Sequence, residues 1–321
     1  MKYLRLSTTD PYYNLAVEEF LFSHTDEDVF MLWQNASTVV IGKNQNAYAE
    51  VDLDYARTNK IKIARRITGG GAVYHDLGNI NYSYITSQSN ISALDFETPS
   101  RAMIAALASM GIDAALGGRN DILVGDKKIS GNAQYSSNGR ILHHGTLLFD
   151  ADGSVMERVL RVDKEKLTSH GVSSHKSRVA NIKSILQSDI SVEDFISTLE
   201  KHIKAYLDPE ELTLPNSSVI NELAVRNASE EWILSNKKFL TSYSVTRQKR
   251  YPFGRVTVNV NLNRDVIEKI MITGDFFSSA PIEELEDALT GKKISDMLLP
   301  DVSKYIASMT NEEFCSLLRG Q

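Results

Sequence analysis

The stretch RRITGGGAVYHDLGNINYSY, residues 65–84, constrains this chain more than any other. Two adjacent arginines, Arg65 and Arg66, are followed almost at once by Gly69, Gly70 and Gly71. A run without side chains lets backbone N–H groups come close to a ligand and reach φ angles closed to other residues. Consecutive N–H groups in such a turn form an anion-binding concavity. The arginine pair adds forked donors suited to phosphate or carboxylate. Ala72, Val73 and Tyr74 then read as a strand, with a turn at Leu77-Gly78-Asn79 after His75-Asp76. Ile80, Tyr82 and Tyr84 alternate with Asn81 and Ser83, the period of a half-buried strand. The glycines therefore sit on a loop between strands. They serve either an anion site or turn geometry alone, and the arginine pair favours the anion site. The loop is not a Walker A motif, because no GK[ST] follows, and it is not a GxGxxG turn leading into a helix.

At 321 residues the chain can support one large core and a smaller one. Its formal net charge of -6 gives no general nucleic-acid footprint. The charge is uneven, however: residues 57–183 carry 17 Lys+Arg against 11 Asp+Glu, leaving 18 against 30 elsewhere. The basic middle contains the glycine run and suits an anionic ligand. Cys315 is the sole cysteine, which excludes an intrachain disulfide framework and a cysteine-based metal site. The opening residues MKYLRLSTTD lack the apolar segment of a signal peptide. No apolar run approaches the roughly 18 residues of a membrane span. A cytoplasmic protein is expected.

Residues 3–6 read as a short strand, and Asp10-Pro11 as a helix start. The helix pairs Ala16 with Phe20 and Val17 with Leu21, which leaves Glu18 and Glu19 to a solvated face. Residues 30–33 and 38–41 read as strands joined across the polar turn Gln34-Asn35-Ala36-Ser37. Trp33 at the first strand's end suits either a core or a ligand wall. A short helix over 52–59 precedes a strand over 61–66 that delivers the arginine pair. Residues 101–110 read as a helix ending at Gly111.

A second constellation lies at 118–149. There NDILV, GDKK and ISG read as a hairpin whose second arm carries Lys127 and Lys128, either as solvated edge guards or as site residues. His143 and His144 follow on a strand, so they point to opposite faces and only one can serve a given site. No HExxH, GxSxG or Cys/His nucleophile arrangement is present. A domain boundary falls between Leu240 and Pro252. There a polar run, 241–250, has the composition of a hinge and meets the break Tyr251-Pro252-Phe253-Gly254. Val256, Val258 and Val260 then alternate as a strand, and 282–289 and 311–318 read as helices. The expected domains are 1–243 and 249–321.

Taken together, RRITGGGAVYHDLGN, GRNDILVGDKKISGNAQ and HHGTLLFD resemble the signature blocks of the lipoate–protein ligase family. DPYYNLAVEEFLF and MLWQNASTVVIGKNQNAYAEVD resemble that family's N-terminal helix and the strand pair after it. LTSHGVSSHKSRVANI resembles the segment after its HHG strand, and RYPFGRVTVNVNLNRDVIEKIMITGDFF the start of its accessory domain. The resemblance covers nearly the whole chain. It implies the α+β fold shared by biotin ligases and class II tRNA-synthetase cores: a mixed, mostly antiparallel sheet with flanking helices, here plus a small α/β accessory domain.

The same resemblance implies a two-step reaction. Lipoate and ATP, with Mg²⁺, form lipoyl-AMP and pyrophosphate; the lipoyl group then passes to an acceptor lysine. The acceptors implied are lipoyl domains of 2-oxoacid dehydrogenase E2 subunits or the glycine cleavage H protein, with no nucleic acid and no membrane involved. Arg66, Gly71, Ala72, Val73 and Tyr74 match nucleotide-binding positions. Lys128 matches the lysine that contacts both the lipoate carboxyl and the adenylate phosphate. Asp121 matches a position near the nucleotide and metal. Trp33, Gly70, His75 and His144 match positions around the lipoyl chain or its carbonyl. Three other readings stay open: a transferase of the same fold working through a cysteine, a relay enzyme moving lipoyl groups between proteins, and a non-catalytic binding module. The sole cysteine lies far from every signature block, which disfavours the first. A tRNA synthetase would need a basic anticodon-binding module, which the acidic C-terminal portion does not supply.

Overall fold

The computed structural model describes the chain apart from residues 93, 119, 162–177, 187–188, 235–241 and 296. Among the described residues the strands are β1 Lys2–Arg5, β2 Val29–Trp33, β3 Thr38–Ile41, β4 Lys62–Arg65, β5 Val73–His75, β6 Asn79–Ser87, β7 Ala114–Gly117, β8 Asp121–Val124, β9 Lys127–Ser137, β10 Arg140–Leu148, β11 Glu210–Glu211, β12 Val245–Tyr251, β13 Gly254–Asn263 and β14 Val266–Gly274. The largest sheet has the order β11-β1-β2-β6-β10-β9-β8-β7. Its pairs are antiparallel except that β1 runs parallel to both β2 and β11. A smaller mixed sheet, β4-β3-β5, stands apart from it, and β12-β13-β14 form an antiparallel meander. This is the α+β architecture that the family resemblance implies. One connection differs: β2 and β3 do not pair with each other but enter different sheets, and Asn35 of the turn between them is buried.

One face of the main sheet buries Ile80, Tyr82 and Ile122 against the helices Glu97–Ser109 and Val192–Leu207. The second of these presents Phe195, Ile196, Leu199 and Ile203 as one apolar stripe. The first starts four residues earlier than the sequence suggests, because the Asp95 carboxylate accepts the N–H groups of Glu97 and Thr98. It stops where expected, at Gly111 with φ +80°.

The helix Pro11–His24 is wedged between the main sheet and the small sheet. Asp10 caps it by accepting the N–H groups of Tyr12 and Tyr13. Leu15, Ala16 and Phe20 share a core with Trp33, Val40, Ala64 and Leu142. Covered on most sides, the helix has no solvated carboxylate face, contrary to the sequence reading. Glu18 is fully buried, and Glu19 pairs with Arg226 of the helix Ser218–Ala228. Apolar burial worth roughly 1.5–3 kcal/mol per large side chain offsets the cost of one buried carboxylate whose hydrogen bonds are made. Strand β6 also departs from the half-buried pattern: Asn81 and Ser83 are buried because their face looks toward Trp33 and Glu18, not toward water.

In the C-terminal part, β13 buries Val256, Val258 and Val260, as their alternation predicts. The helices Ile282–Leu289 and Asn311–Arg319 close a separate core with Leu285, Leu289, Phe314 and Leu318. Residues 245–250 of the run read as hinge-like from its polarity belong instead to the edge strand β12. An exposed edge strand carries polar side chains for the same reason a linker does, since both face water.

Candidate active site

Trp33, Arg66, Gly70, Gly71, Ala72, Val73, Tyr74, His75, Asp121, Lys128 and His144 all line one cavity of about 440 Å³. It lies where β5, β6, β9 and β10 converge, and Arg250, Phe253 and Asp275 of the C-terminal part complete its wall.

The glycine loop does not stand as the open amide nest the sequence suggests. Arg65 takes no part in the cavity wall. It donates at 2.7–3.1 Å to backbone carbonyls of Gly42, Lys43, Gln45, Trp232 and Ile233, and so pins the end of β4 to its neighbours. Arg66 donates to the carbonyls of Val40, Gly69 and Gly71 and to Thr68 Oγ1. Burial pushes both guanidinium groups down to about 10, which leaves them charged at neutral pH. Gly70 has φ +88°, and its N–H donates to the Phe276 carbonyl at 3.3 Å. The neighbouring glycines serve close approach. A Cβ on Gly69 would stand 2.2 Å from the Phe276 oxygen, and one on Gly42 2.1 Å from the Gly70 oxygen. The loop is thus a seam between the two cores, braced from below by Arg66.

The predicted hairpin forms from β8 and β9 and turns at Gly125 with φ +59°. A bulge places Ile129 opposite no partner and re-aims the strand beside Lys128. The two lysines then part. Lys127 stays at the outer edge beside Asp126, 3.5 Å away, as an edge guard would. Lys128 reaches Asp121 Oδ1 at 2.7 Å, while Asp121 Oδ2 accepts from Arg178 at 2.7 Å. A Cβ on Gly131 would fall 2.7 Å from Lys128 Nζ, so glycine there leaves the ammonium its place. Two cations share one carboxylate, and the cavity wall keeps a positive excess suited to an anion.

A buried chain of hydrogen bonds runs behind the cavity. Trp33 Nε1–H donates to Ser83 Oγ at 2.9 Å, and Ser83 donates to Glu18 Oε1 at 2.5 Å. His144 Nδ1 faces both Glu18 oxygens at 2.9 and 3.1 Å, and its Nε2 meets Thr68 Oγ1 at 2.8 Å. Arg66 Nε donates to the same Thr68 oxygen at 2.9 Å. An indole N–H only donates, so Ser83 passes its own hydrogen on to Glu18, and a carboxylate only accepts, so His144 carries a hydrogen on Nδ1. The chain ties Trp33 to the brace of the glycine loop. Glu18, Ser83 and Thr68 were not legible as site residues, and neither were Arg178 and Arg250. A Glu-Glu pair in a helix does not reveal which member is buried, and the arginines belong to elements far away in sequence.

The paired histidines face opposite ways, as expected. His144 lines the cavity, whereas His143 packs among Phe96 and Tyr82 with neither ring nitrogen hydrogen-bonded among the described residues. Burial pushes His143 and His75 down to about 3. Both are neutral in the fold, while an unfolded imidazole titrates near 6.5. Stability from keeping them neutral is therefore complete above about pH 6.5 and is lost as the pH falls from there toward 3. The expected slope is up to about 1.4 kcal/mol per pH unit for each ring. Urea midpoints measured from pH 7.5 to 4 should fall steadily below pH 6.5. His143→Leu should lessen the slope without lowering the midpoint at pH 7.5, because it removes a buried polar group that has no partner.

For a divalent cation, no group of three or more His, Cys, Asp or Glu side chains lies together among the described residues. Asp121 already has a cation on each oxygen. The residues fit a Mg²⁺ held mainly by nucleotide phosphates, as is usual for that ion, and not a cage built by the protein.

Residues 10–204 match the family model described as Lipoyl protein ligase A/B catalytic domain. Residues 241–318 match that described as Bacterial lipoate protein ligase C-terminus. A curated relative, lipoate-protein ligase LplJ of Bacillus subtilis, is 37% identical over 96% of this chain and 97% of its own length. Among solved structures, Plasmodium falciparum LipL1 in complex with lipoate covers 99% of this chain and 98% of its own at a TM-score of 0.76. At 21% identity that is a likeness of fold alone. A bi-partite lipoate protein ligase from Thermoplasma acidophilum, described with its E2 lipoyl domain, is 32% identical over 76% of this chain and 98% of its own, with a TM-score of 0.64. A lipoate-protein ligase A bound with ATP is 29% identical over 73% of this chain and 98% of its own, with a TM-score of 0.62.

Proposed function

The chain belongs to the lipoate–protein ligase family, and we propose that the cavity around Lys128 is where it joins lipoate to AMP and then passes the lipoyl group to a protein lysine. The observation that carries this reading is the Lys128 ammonium, held over Gly131 in the wall of a cavity that Trp33 and the braced glycine loop also line. In the first step a lipoate carboxylate oxygen attacks the α-phosphorus of ATP, and the bond to pyrophosphate breaks. Two negative groups must be held together for this, so a cation placed between them stabilises the transition state more than the separated reactants. Lys128 supplies that cation once it turns from Asp121 to the reacting oxygens. Arg66 keeps Gly70 and Gly71 in position beneath the nucleotide, while Ala72, Val73 and Tyr74 form its wall. Trp33, Gly70, His75 and His144 enclose the acyl chain and its carbonyl. Mg²⁺ would arrive on the ATP phosphates and neutralise charge there, with Asp121 near it. In the second step an acceptor amine attacks the acyl carbonyl, loses a proton, and AMP leaves with the bonding electrons.

The acceptors proposed are lipoyl domains of 2-oxoacid dehydrogenase E2 subunits or glycine cleavage H protein. The Thermoplasma ligase described with its E2 lipoyl domain supports that class. A cytoplasmic setting suits ATP and such acceptors, and no helix among the described residues is long and apolar enough to cross a membrane. The division into a catalytic part, 1–243, and an accessory part, 249–321, is supported by the separate C-terminal core. Pyrophosphate–ATP exchange tests the activation step. Exchange that requires lipoate is expected, and none from folded protein would return the cavity to a transferase or a binding module. A cysteine transferase already lacks its nucleophile here: Cys315 is the sole cysteine, lies in the helix Asn311–Arg319, and does not line the cavity. Cys315→Ser should therefore keep nearly full ligase activity, and thiol alkylation should not abolish it. A trapped acyl-thioester on this residue would reverse that conclusion.

A further inference from the structure

His75 has one ring nitrogen turned to a pair of buried asparagines and the other, among the described residues, left without a partner at the cavity. Asn14 and Asn35 are both fully buried. The side-chain nitrogen of Asn14 lies 3.1 Å from the Thr8 carbonyl and 2.8 Å from the Gln34 carbonyl. Backbone carbonyls only accept, so the atom facing them must be the NH₂ group. That NH₂ has two hydrogens for three acceptors, so one is shared with the Asn35 side chain 3.0 Å away, and Asn35 turns its oxygen there because its own NH₂ would set two donors face to face. The Asn35 NH₂ is then the group 3.1 Å from His75 Nδ1. An amide NH₂ cannot accept, so Nδ1 carries a lone pair and the ring hydrogen resides on Nε2. Two backbone carbonyls thus dictate, through two asparagines, the tautomer of a histidine at the end of β5. Nε2 is buried without a hydrogen-bond partner in a residue that lines the cavity, and the ring stands edge-on to Trp33 at 6.3 Å.

We infer that Asn35, oriented by Asn14, is a positioning residue that holds His75 as a fixed Nε2–H donor to an oxygen of the bound acyl group. This rests on the reading of that end of the cavity as the lipoyl site. One mechanistic consequence follows: a nitrogen that already bears its hydrogen cannot take a proton from the attacking lysine, so His75 polarises the acyl oxygen and is not the base. A buried donor left unpaired in the free protein also gives the site a preference for ligands ending in a carboxylate or carbonyl over an isosteric alkyl terminus.

The test is ring-nitrogen NMR on the full-length protein labelled with ¹⁵N-histidine, with the His75 signals assigned by their loss in His75→Gln. The wild-type ring should read as Nε2–H with a bare Nδ1, and adding lipoate should shift the Nε2–H signal. In Asn35→Ala the ring should become a mixture of tautomers, and KM for lipoate should rise about tenfold with kcat less affected. A wild-type ring read as Nδ1–H overturns the inference, whether or not the variant folds. So does an Asn35→Ala protein that keeps the pure Nε2–H ring while losing lipoate affinity, since Asn35 would then be only structural. Lipoate that quenches Trp33 fluorescence but leaves the His75 ring unmoved overturns the inference and spares the lipoyl-site reading. Lipoate that perturbs neither residue overturns both.

Discussion

Lys128→Ala should lower lipoate-dependent pyrophosphate–ATP exchange by on the order of 10²-fold or more, the cost typical of losing one charged contact made in the transition state. The fold should survive, because the side chain is partly exposed and its ion pair with Asp121 is shared with Arg178. Lys127→Ala should be mild, since that ammonium lies at the hairpin's outer edge beside Asp126. The contrast between neighbours is the discriminating measurement. Equal, small losses would mean that both lysines of the hairpin are merely solvated. Gly131→Ala offers a second approach to the same point. The added methyl would stand 2.7 Å from Nζ, a flexible chain end that can swing away, so the protein should fold normally while exchange falls toward the Lys128→Ala level. Normal exchange in that variant would show that the ammonium acts from some other position.

What the sequence revealed and what it hid follow one physical division. Local patterns depend on neighbours along the chain, so the alternation of Val256, Val258 and Val260, the Gly125 turn and the helix from Ile282 to Leu289 could be read directly. The eleven positions that the family resemblance marked line one cavity, whereas spacing alone left edge guards and turn glycines as open alternatives. Burial of polar groups was not legible. Glu18 looks like any helical glutamate until the helix Pro11–His24 is wedged between two sheets. Arg65 and Arg66 look like anion forks until backbone carbonyls surround them. Asn35 reads as a turn residue, yet the strands flanking it diverge into different sheets and leave it inside. In each case the deciding contact comes from a segment distant in sequence.

Removing the C-terminal part should separate the two half-reactions. That part has its own core and supplies Arg250, Phe253 and Asp275 to the cavity, while its Phe276 carbonyl holds the Gly70 N–H. Phe277 is buried against Phe96, Gly274 N–H donates to the Asn44 carbonyl at 2.9 Å, and Arg255 pairs with Glu50. Without these contacts the glycine loop loses its lid and its outer support, and water reaches the site of phosphoryl chemistry. A chain stopped near Tyr243 should therefore fold but lose most lipoate activation. It should still transfer the acyl group from preformed lipoyl-AMP, because Arg66, His75, Lys128 and His144 all precede the cut. Gly69→Ala makes the same point without truncation. Its Cβ would meet a backbone oxygen of Phe276, which cannot swing aside as a side chain can, so the seam itself must part. Activation should fall in Gly69→Ala while transfer from lipoyl-AMP is largely kept. Both half-reactions are to be run on both proteins. Normal activation in the truncated chain would assign the C-terminal part another task, such as docking the acceptor, and equal loss of both half-reactions would show that the seam holds the whole catalytic cavity in shape.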